Sequence, residues 1–210
     1  MLKEKTVSKF LDELAANSPA PGGGSVAALS GALGSALTTM VCNLTIGKKK
    51  YLQVENEMKT MLARSEELRK QFTTLIDHDT VAFAKVMEAY GLPRETTDQQ
   101  ALRHAAVQEA TKEAALVPLE VMKHTIDALA LAKVVAEKGN VNSLSDAGVS
   151  ALMLHAATEG AALNVKINLN SIDDTDFVGW KRDELSSLEK TSKMKCDEIV
   201  AMVREKILDA

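Results

Sequence analysis

Two aspartates separated by a histidine, in the stretch LIDHDTVAF at residues 75–83, are the side chains of this chain best placed for proton transfer. Apolar residues around them recur in steps of three and four from position 61 to position 90, which predicts one face of a long helix. Asp79 falls on that face, whereas Asp77 lies about 200° away around the helix. The pattern therefore predicts that Asp79 faces the core or a cavity and that Asp77 is solvated or lies at its rim.

An aspartate among apolar neighbours is costly unless it is paired or protonated, and burial raises its pKa. A raised pKa suits a carboxyl group to general acid or base catalysis near neutral pH. Asp79, with Asp77 beside it, is therefore the candidate catalytic pair. A buried aspartate that caps another helix, or that pairs with a lysine or arginine, would show the same spacing, so both interpretations stay open.

A glycine turn is the second candidate site. It consists of Pro21, Gly22, Gly23, Gly24 and Ser25, and a charge-free stretch of helical character follows it. The first N–H groups of a helix have no partner within the helix and can bind an anion or a polar ligand. No Lys-Ser/Thr pair follows and no strand precedes, which excludes a P-loop and a dinucleotide fingerprint. A tight turn without a ligand fits the same residues.

Three polar residues of a later helix complete the substrate-binding candidates. Asn164 and Asn168 are four residues apart on an otherwise apolar face, where paired carboxamides could bind the amide edge of a heterocycle. A hydrogen bond between helices would explain them equally well. Asp146 lies in the first turn of that helix, where an acid is favoured by the helix dipole in any case.

The densest basic run is GKKKY, residues 47–51, in which Lys48, Lys49 and Lys50 could hold an anionic substrate tail. The same lysines suit the end of the preceding helix, where the dipole favours cations. Since a helix of 22 residues is ~33 Å long, one ligand cannot reach both the glycine turn and these lysines within one subunit. They could share a site only if a twofold partner paired its small-residue helix face antiparallel to this one.

Composition excludes several other functions. The net charge of −4 and an aromatic content of 3 % argue against nucleic-acid binding. No histidine has a glutamate three residues before it, as a di-iron bundle requires, and the two cysteines are far apart, so no metal site is predicted. The amphipathic N-terminus lacks the apolar stretch of a signal peptide, which favours a reducing cytoplasm.

Helical periodicity extends through nearly the whole chain and predicts an all-α, mostly antiparallel bundle of long helices in one domain over residues 1–210. The second helix, N-capped by Ser25, is long enough to span a membrane, but its serines, threonines and small residues every fourth position indicate a buried central helix. Thr97 and Gln100 predict a capping box, and Pro118 predicts a kink or break. The predicted helices cover residues 4–16, 25–46, 51–90, 97–138, 145–170 and 176–208.

Four motifs in order resemble the cyclodeaminase/cyclohydrolase family of folate enzymes. They are SPAPGGGSVAALSGALGSAL, LIDHDTVAF, GNVNSLSDAGVSAL and NVKINLNSIDDTDF, and the resemblance covers nearly the whole chain. It implies the helical fold of the C-terminal domain of formiminotransferase-cyclodeaminase, a homodimer, and a catalytic role for the second acid of the Asp-x-Asp motif, which is Asp79.

The resemblance also implies a substrate, a tetrahydrofolate derivative with a one-carbon unit between N5 and N10, and no other cofactor. Because the chain stands alone, methenyltetrahydrofolate cyclohydrolase is the first expectation, and formiminotetrahydrofolate cyclodeaminase is the second. A non-catalytic helical protein that binds folate or a protein partner is the alternative from another class.

Overall fold

The computed structural model describes residues 1–208, which form six α-helices and three short 3-10 helices but no strand. The helices are α1 (Val7–Leu14), α2 (Gly23–Thr45), α3 (Glu55–Tyr90), α4 (Thr97–Lys138), α5 (Leu144–Leu169) and α6 (Thr175–Leu208). The predicted all-α bundle of long helices is confirmed, and the limits of α5 and α6 agree with the predicted ones to within one residue.

The central element is α2, which packs against α3 and α5 on two sides. Small residues allow this: a Cβ atom on Gly31 would lie 2.5 Å from the ring of Phe72 on α3. Buried hydroxyl groups on α2 also find partners, because Ser30 Oγ donates to the Met153 carbonyl oxygen of α5 at 2.8 Å and Thr39 Oγ1 lies 2.8 Å from Ser65 Oγ of α3. These contacts fix α2 antiparallel to both neighbours.

By length and composition alone, α2 could cross a membrane, but 67 % of its most apolar stretch is buried inside the protein. Its apolar character is thus explained by the core. The small residues of α2 are used within the subunit, since Ala27, Ala28, Gly31 and Ala32 are buried. Pairing of these small-residue faces between two subunits, as the sequence suggested, is therefore wrong.

Three local predictions need correction. Gly22, not Ser25, is the N-cap of α2, and the capping box of α4 is formed by Thr96 and Gln99. The helix α4 also continues through Pro118 without a break. The period of apolar residues predicts which face of a helix is buried, but it does not predict the residue at which a helix begins or whether it continues past a proline.

Candidate active site

The start of α2 is capped by a side chain from α3. Its N-cap, Gly22, has no side chain, so the N–H groups of the first turn need acceptors from elsewhere. Asp79 supplies one, because its Oδ2 accepts a hydrogen bond from the Ser25 backbone N–H at 2.9 Å. Ser25 Oγ lies 3.1 Å from the same oxygen and 2.9 Å from the Ile76 carbonyl oxygen, to either of which it can donate. Asp79 thus points into the bundle, on the side where the helical period places it.

The second carboxylate oxygen of Asp79 lies against the glycine turn. A Cβ atom on Gly24 would be 1.9 Å from Asp79 Oδ1, so a side chain at this position would collide with the carboxylate. The hydrogen bonds of residues 1–208 include none to Oδ1, which leaves that oxygen available as an acceptor. Beside it, the N–H groups of Gly23 and Gly24 have no acceptor within their own helix.

The Asp79 side chain is half-buried, and this burial raises the pKa of its carboxyl group. The two hydrogen bonds from Ser25 partly oppose that increase. Desolvation is the larger cause, since it penalises the charged form. The carboxylate is therefore a stronger base than an exposed aspartate while it stays in a fixed orientation. Such a group can accept a proton and return it to a neighbouring atom.

Asp77 has a different environment. Its Oδ1 accepts a hydrogen bond of 2.6 Å from the Leu2 backbone N–H, and its Oδ2 is 3.8 Å from Lys3 Nζ. Only 13 % of the side chain is exposed, so of the two predicted positions, solvated or at the rim, the solvated one is wrong. Asp77 faces the N-terminal segment, on another side of α3 from the Asp79 carboxylate.

The two asparagines of α5 also differ. Asn164 lies beside the glycine turn, because a Cβ atom on Gly23 would be 3.2 Å from its Nδ2, which donates to the Gly160 carbonyl oxygen. Asn168 Nδ2 instead donates to the Ala114 carbonyl oxygen of α4 at 3.1 Å. That carbonyl has no helical partner because Pro118, four residues later, has no N–H. Asn168 therefore joins α4 to α5, and only Asn164 reaches the turn.

The remaining candidates lie at the opposite end of α2. Asn140, just before α5, bonds with Thr45 Oγ1 and the Leu44 carbonyl oxygen, which places the start of α5, with Asp146, at the end of α2. The exposed Lys48, Lys49 and Lys50 follow that end directly. Since α2 has 23 residues, the three lysines are ~34 Å along its axis from the glycine turn. Asp146 precedes Asn164 by 18 residues on α5 and is therefore ~27 Å from the turn along that helix. Within one subunit they do not join Asp79.

Pro21, the first residue of the glycine turn, is buried, and its peptide bond with Ala20 is cis. Thr80, which the sequence analysis did not identify, lies near the site with its Oγ1 3.4 Å from Ser25 Oγ. Its only signal in the sequence was its position next to Asp79, because threonine occurs on both buried and exposed helix faces.

Comparisons with known proteins identify the family of this chain. The sequence profile of the formiminotransferase-cyclodeaminase family matches residues 6–187. The chain is 46 % identical to the methenyltetrahydrofolate cyclohydrolase of Methylorubrum extorquens, over 99 % of this chain and 100 % of that protein. It is 35 % identical to the formimidoyltransferase-cyclodeaminase of Rattus norvegicus over 91 % of this chain, but spans 36 % of that longer protein.

A solved structure gives the same result. The formiminotetrahydrofolate cyclodeaminase of Thermotoga maritima superimposes with a TM-score of 0.88 at 33 % identity, and the match covers 99 % of this chain and 100 % of that one. With the family profile, the full-length relative and the fold in agreement, this chain belongs to the formiminotransferase-cyclodeaminase family.

Proposed function

We propose that this chain is a methenyltetrahydrofolate cyclohydrolase, which adds water to 5,10-methenyltetrahydrofolate and forms 10-formyltetrahydrofolate. The observation that carries the proposal is the end-to-end similarity to the Methylorubrum extorquens enzyme of that name. The position of Asp79 against the start of α2 supplies the group that such a reaction needs.

In the first step Asp79 acts as a general base. The methenyl carbon is cationic, and water becomes an effective nucleophile when a carboxylate accepts one of its protons. Oδ1 of Asp79 is the oxygen free to do so, while Oδ2 is held by Ser25. Water oxygen bonds to the carbon, the water proton goes to Asp79, and a neutral tetrahedral carbon between N5 and N10 results.

In the second step the same residue acts as an acid. The bond from carbon to N5 breaks, N5 takes the proton from Asp79, and the hydroxyl group loses its proton as the formyl C=O forms. The net reaction consumes one water and releases one proton. The oxidation state of the one-carbon unit does not change, so no redox cofactor is needed. Because Asp79 can carry the protons, we propose that the tetrahydrofolate derivative and water are the only non-protein reactants and that no metal takes part.

The glycine turn would hold the substrate. The N–H groups of Gly23 and Gly24 point along the axis of α2, where they can donate to the pterin or to oxygen at the reacting carbon. Asn164, which contacts the turn, offers a carboxamide oxygen to a pterin N–H. We assign Asp77 the separate task of holding the N-terminal segment against α3, on its bonds with Leu2 and Lys3.

Formiminotetrahydrofolate cyclodeaminase is the second candidate, favoured by the likeness to the Thermotoga maritima structure. There, N10 would close onto the formimino carbon and ammonia would leave after protonation. Both reactions pass through a tetrahedral carbon between two nitrogens, so one aspartate could serve either. A non-catalytic folate-binding or scaffold protein has less support, because the proteins that match this chain end to end are named as enzymes.

We further propose that the protein is a cytoplasmic homodimer that binds neither nucleic acid nor membranes. Support for the dimer comes from exposed apolar residues on the outer faces of α2 and α5, which a second copy of the chain would cover. Those residues are Val26, Leu33, Leu44, Val149, Leu152, Leu163 and Ile167.

Purified protein offered each folate separately tests the proposal. We expect the absorbance of the methenyl group to disappear faster than in the uncatalysed control, with little ammonia from the formimino compound. Rapid ammonia release with slow methenyl hydrolysis would identify the cyclodeaminase instead. Binding without turnover of either compound would identify the non-catalytic alternative.

A further inference from the structure

A cleft of about 520 Å³ lies where α3 ends and α4 begins, and the proposed chemistry does not use it. Tyr90, Arg94, Arg103, His104 and Gln108 line it, together with a second glutamine and a valine. Two guanidinium groups in one cleft are notable in a chain whose net charge is −4.

One of these guanidinium groups has a fixed position. Arg103 Nε and Nη2 both donate to the Tyr90 carbonyl oxygen at 3.0 Å, and the guanidinium carbon is 5.4 Å from the centre of the Tyr90 ring. Two of its five N–H groups are thereby used, and the others stay available for an anion. Arg103 is thus oriented before any ligand binds.

Nearby carboxylates do not neutralise Arg94 and Arg103. Within residues 1–208, neither Arg94 nor Arg103 forms an ion pair with a carboxylate. Asp173 is 2.9 Å from His104 Nε2, and its backbone N–H donates to Gln108. Glu95 accepts from the backbone N–H of Arg94. The cleft therefore offers two guanidinium groups that no carboxylate of the described residues pairs with, although carboxylates are their preferred partners.

The cleft lies on the same face of α3 as the proposed active site. Tyr90 follows Asp79 by 11 residues, which is three helical turns, so both lie on the same face of α3, about 16 Å apart. The half-buried Phe83 and Val86 occupy that face between them. A ligand that extends along this face from the glycine turn would reach the two arginines.

We infer that Arg94 and Arg103 bind the carboxylates of the substrate's glutamate tail, an inference that rests on the proposed folate chemistry. A folate presents its pterin at one end and glutamate carboxylates at the other, and each added glutamate extends the tail by roughly 3.5 Å. The cleft therefore suits a polyglutamate better than a single glutamate. It also lies at the same end of the bundle as Asp79, unlike Lys48, Lys49 and Lys50.

The test compares mono- and pentaglutamyl methenyltetrahydrofolate as substrates of the wild type, Arg94→Gln and Arg103→Lys. We expect the wild type to have a KM about tenfold lower for the pentaglutamyl form, which corresponds to one charge-assisted hydrogen bond. Each variant should lose most of that preference with kcat unchanged, Arg103→Lys because lysine lacks the bidentate fork. Arg64→Gln is the matched control, since Arg64 is exposed on α3, 15 residues from Asp79 in the other direction.

Equal KM values for the two substrates in the wild type, or an equal loss in Arg64→Gln, would overturn the inference and leave the proposed function intact. If no folate is turned over, the proposed function fails, and calorimetry with free penta-γ-glutamate decides the inference by itself. Binding to the wild type that Arg94→Gln abolishes supports it. No binding, or equal binding to both proteins, overturns it.

Discussion

Both ends of α2 carry polar groups, but the environments of these groups differ. At its start, Asp79 and Ser25 bond with each other in partly buried surroundings, and Gly24 has no room for a side chain. At its end, Lys48 and its neighbours are exposed. There the Leu44 carbonyl oxygen and the Thr45 hydroxyl group already have a partner in Asn140.

This difference separates a site from a structural terminus. At the end of α2 the carbonyl oxygens of Cys42, Leu44 and Thr45 already accept hydrogen bonds from the protein itself, so they are not left for a ligand. At the start, an ionisable group is held in a low-polarity environment next to N–H groups without acceptors, which is costly unless function requires it. If the contrast is correct, substitutions at the start should affect turnover far more than substitutions at the end.

The largest effect is expected for Asp79→Asn. Asparagine can still accept the Ser25 N–H with its carbonyl oxygen, but it cannot transfer protons. Loss of a general acid or base typically lowers kcat by ~10²–10⁴-fold, which steady-state hydrolysis of the methenyl substrate would measure. Asp77→Asn is the matched control, because it removes the same charge two residues away and should change kcat by no more than a few-fold. Similar losses in both variants would show that the pair acts together.

The loss of activity caused by alanine substitutions in the glycine turn should increase as the space for a side chain at each position decreases. Gly24→Ala places a methyl group 1.9 Å from Asp79 Oδ1 and should displace the carboxylate, with a loss of activity approaching that of Asp79→Asn. Gly23→Ala meets Asn164 Nδ2 at 3.2 Å and should have a smaller effect, mainly on KM. Gly22→Ala, whose nearest contact would be 3.5 Å, should be mild. A series in which melting temperature falls but kinetics stay normal would make the turn purely structural.

The sequence predicted the orientation of Asp79 because the helical period extends over many residues and Asp79 is the one acidic residue on that face. It could not identify the N-cap of α2, since that depends on Asp79 acting from 54 residues away along the chain. The hydrogen bond from Asn168 to the Ala114 carbonyl group, which Pro118 leaves without a helical partner, could not be predicted either, because the two residues are also far apart along the chain. The position of Asp146 could have been predicted, because two antiparallel neighbouring helices place the start of α5 beside the end of α2.

The raised pKa of Asp79 has a consequence for stability. Its folded pKa lies above the ordinary value of 3.8, so between the two values the folded state binds more protons than the unfolded state. The free energy of unfolding therefore decreases as pH rises through the folded pKa. Since asparagine does not ionise, the melting temperature of Asp79→Asn relative to the wild type should increase from pH 4 to pH 7. A difference that is constant with pH would contradict the burial of this carboxyl group.

Asn168→Ala should be a moderate stability variant. It leaves the Ala114 carbonyl oxygen without a partner, at a cost of about 1–3 kcal/mol in the free energy of unfolding. In a Pro118→Ala background, the N–H of residue 118 can bond that carbonyl, so the cost of Asn168→Ala should decrease by at least ~0.5 kcal/mol. Urea unfolding of the four proteins measures the coupling. A loss of kcat/KM without a loss of stability would instead make Asn168 a substrate ligand.

The smallest effect is expected when Lys48, Lys49 and Lys50 are replaced together by glutamine. These side chains are exposed, ~34 Å along α2 from the glycine turn, and favoured where they are by the helix dipole. Removing them should change KM for pentaglutamyl substrate by less than twofold and should leave its dependence on salt concentration unaltered.

A large increase in KM that high salt abolishes would reverse this comparison. Because the lysines of the same subunit are too distant, such a result would require the lysines of a twofold partner to lie beside Asp79. Mixed dimers then give a direct check. With one subunit carrying Asp79→Asn and the other the lysine substitutions, a site shared between subunits collects both defects in one site and leaves the other site unsubstituted, so about half the activity remains with a normal KM. If each site used the lysines of its own subunit, the site that keeps Asp79 would carry the lysine substitutions, and the remaining activity would have the raised KM.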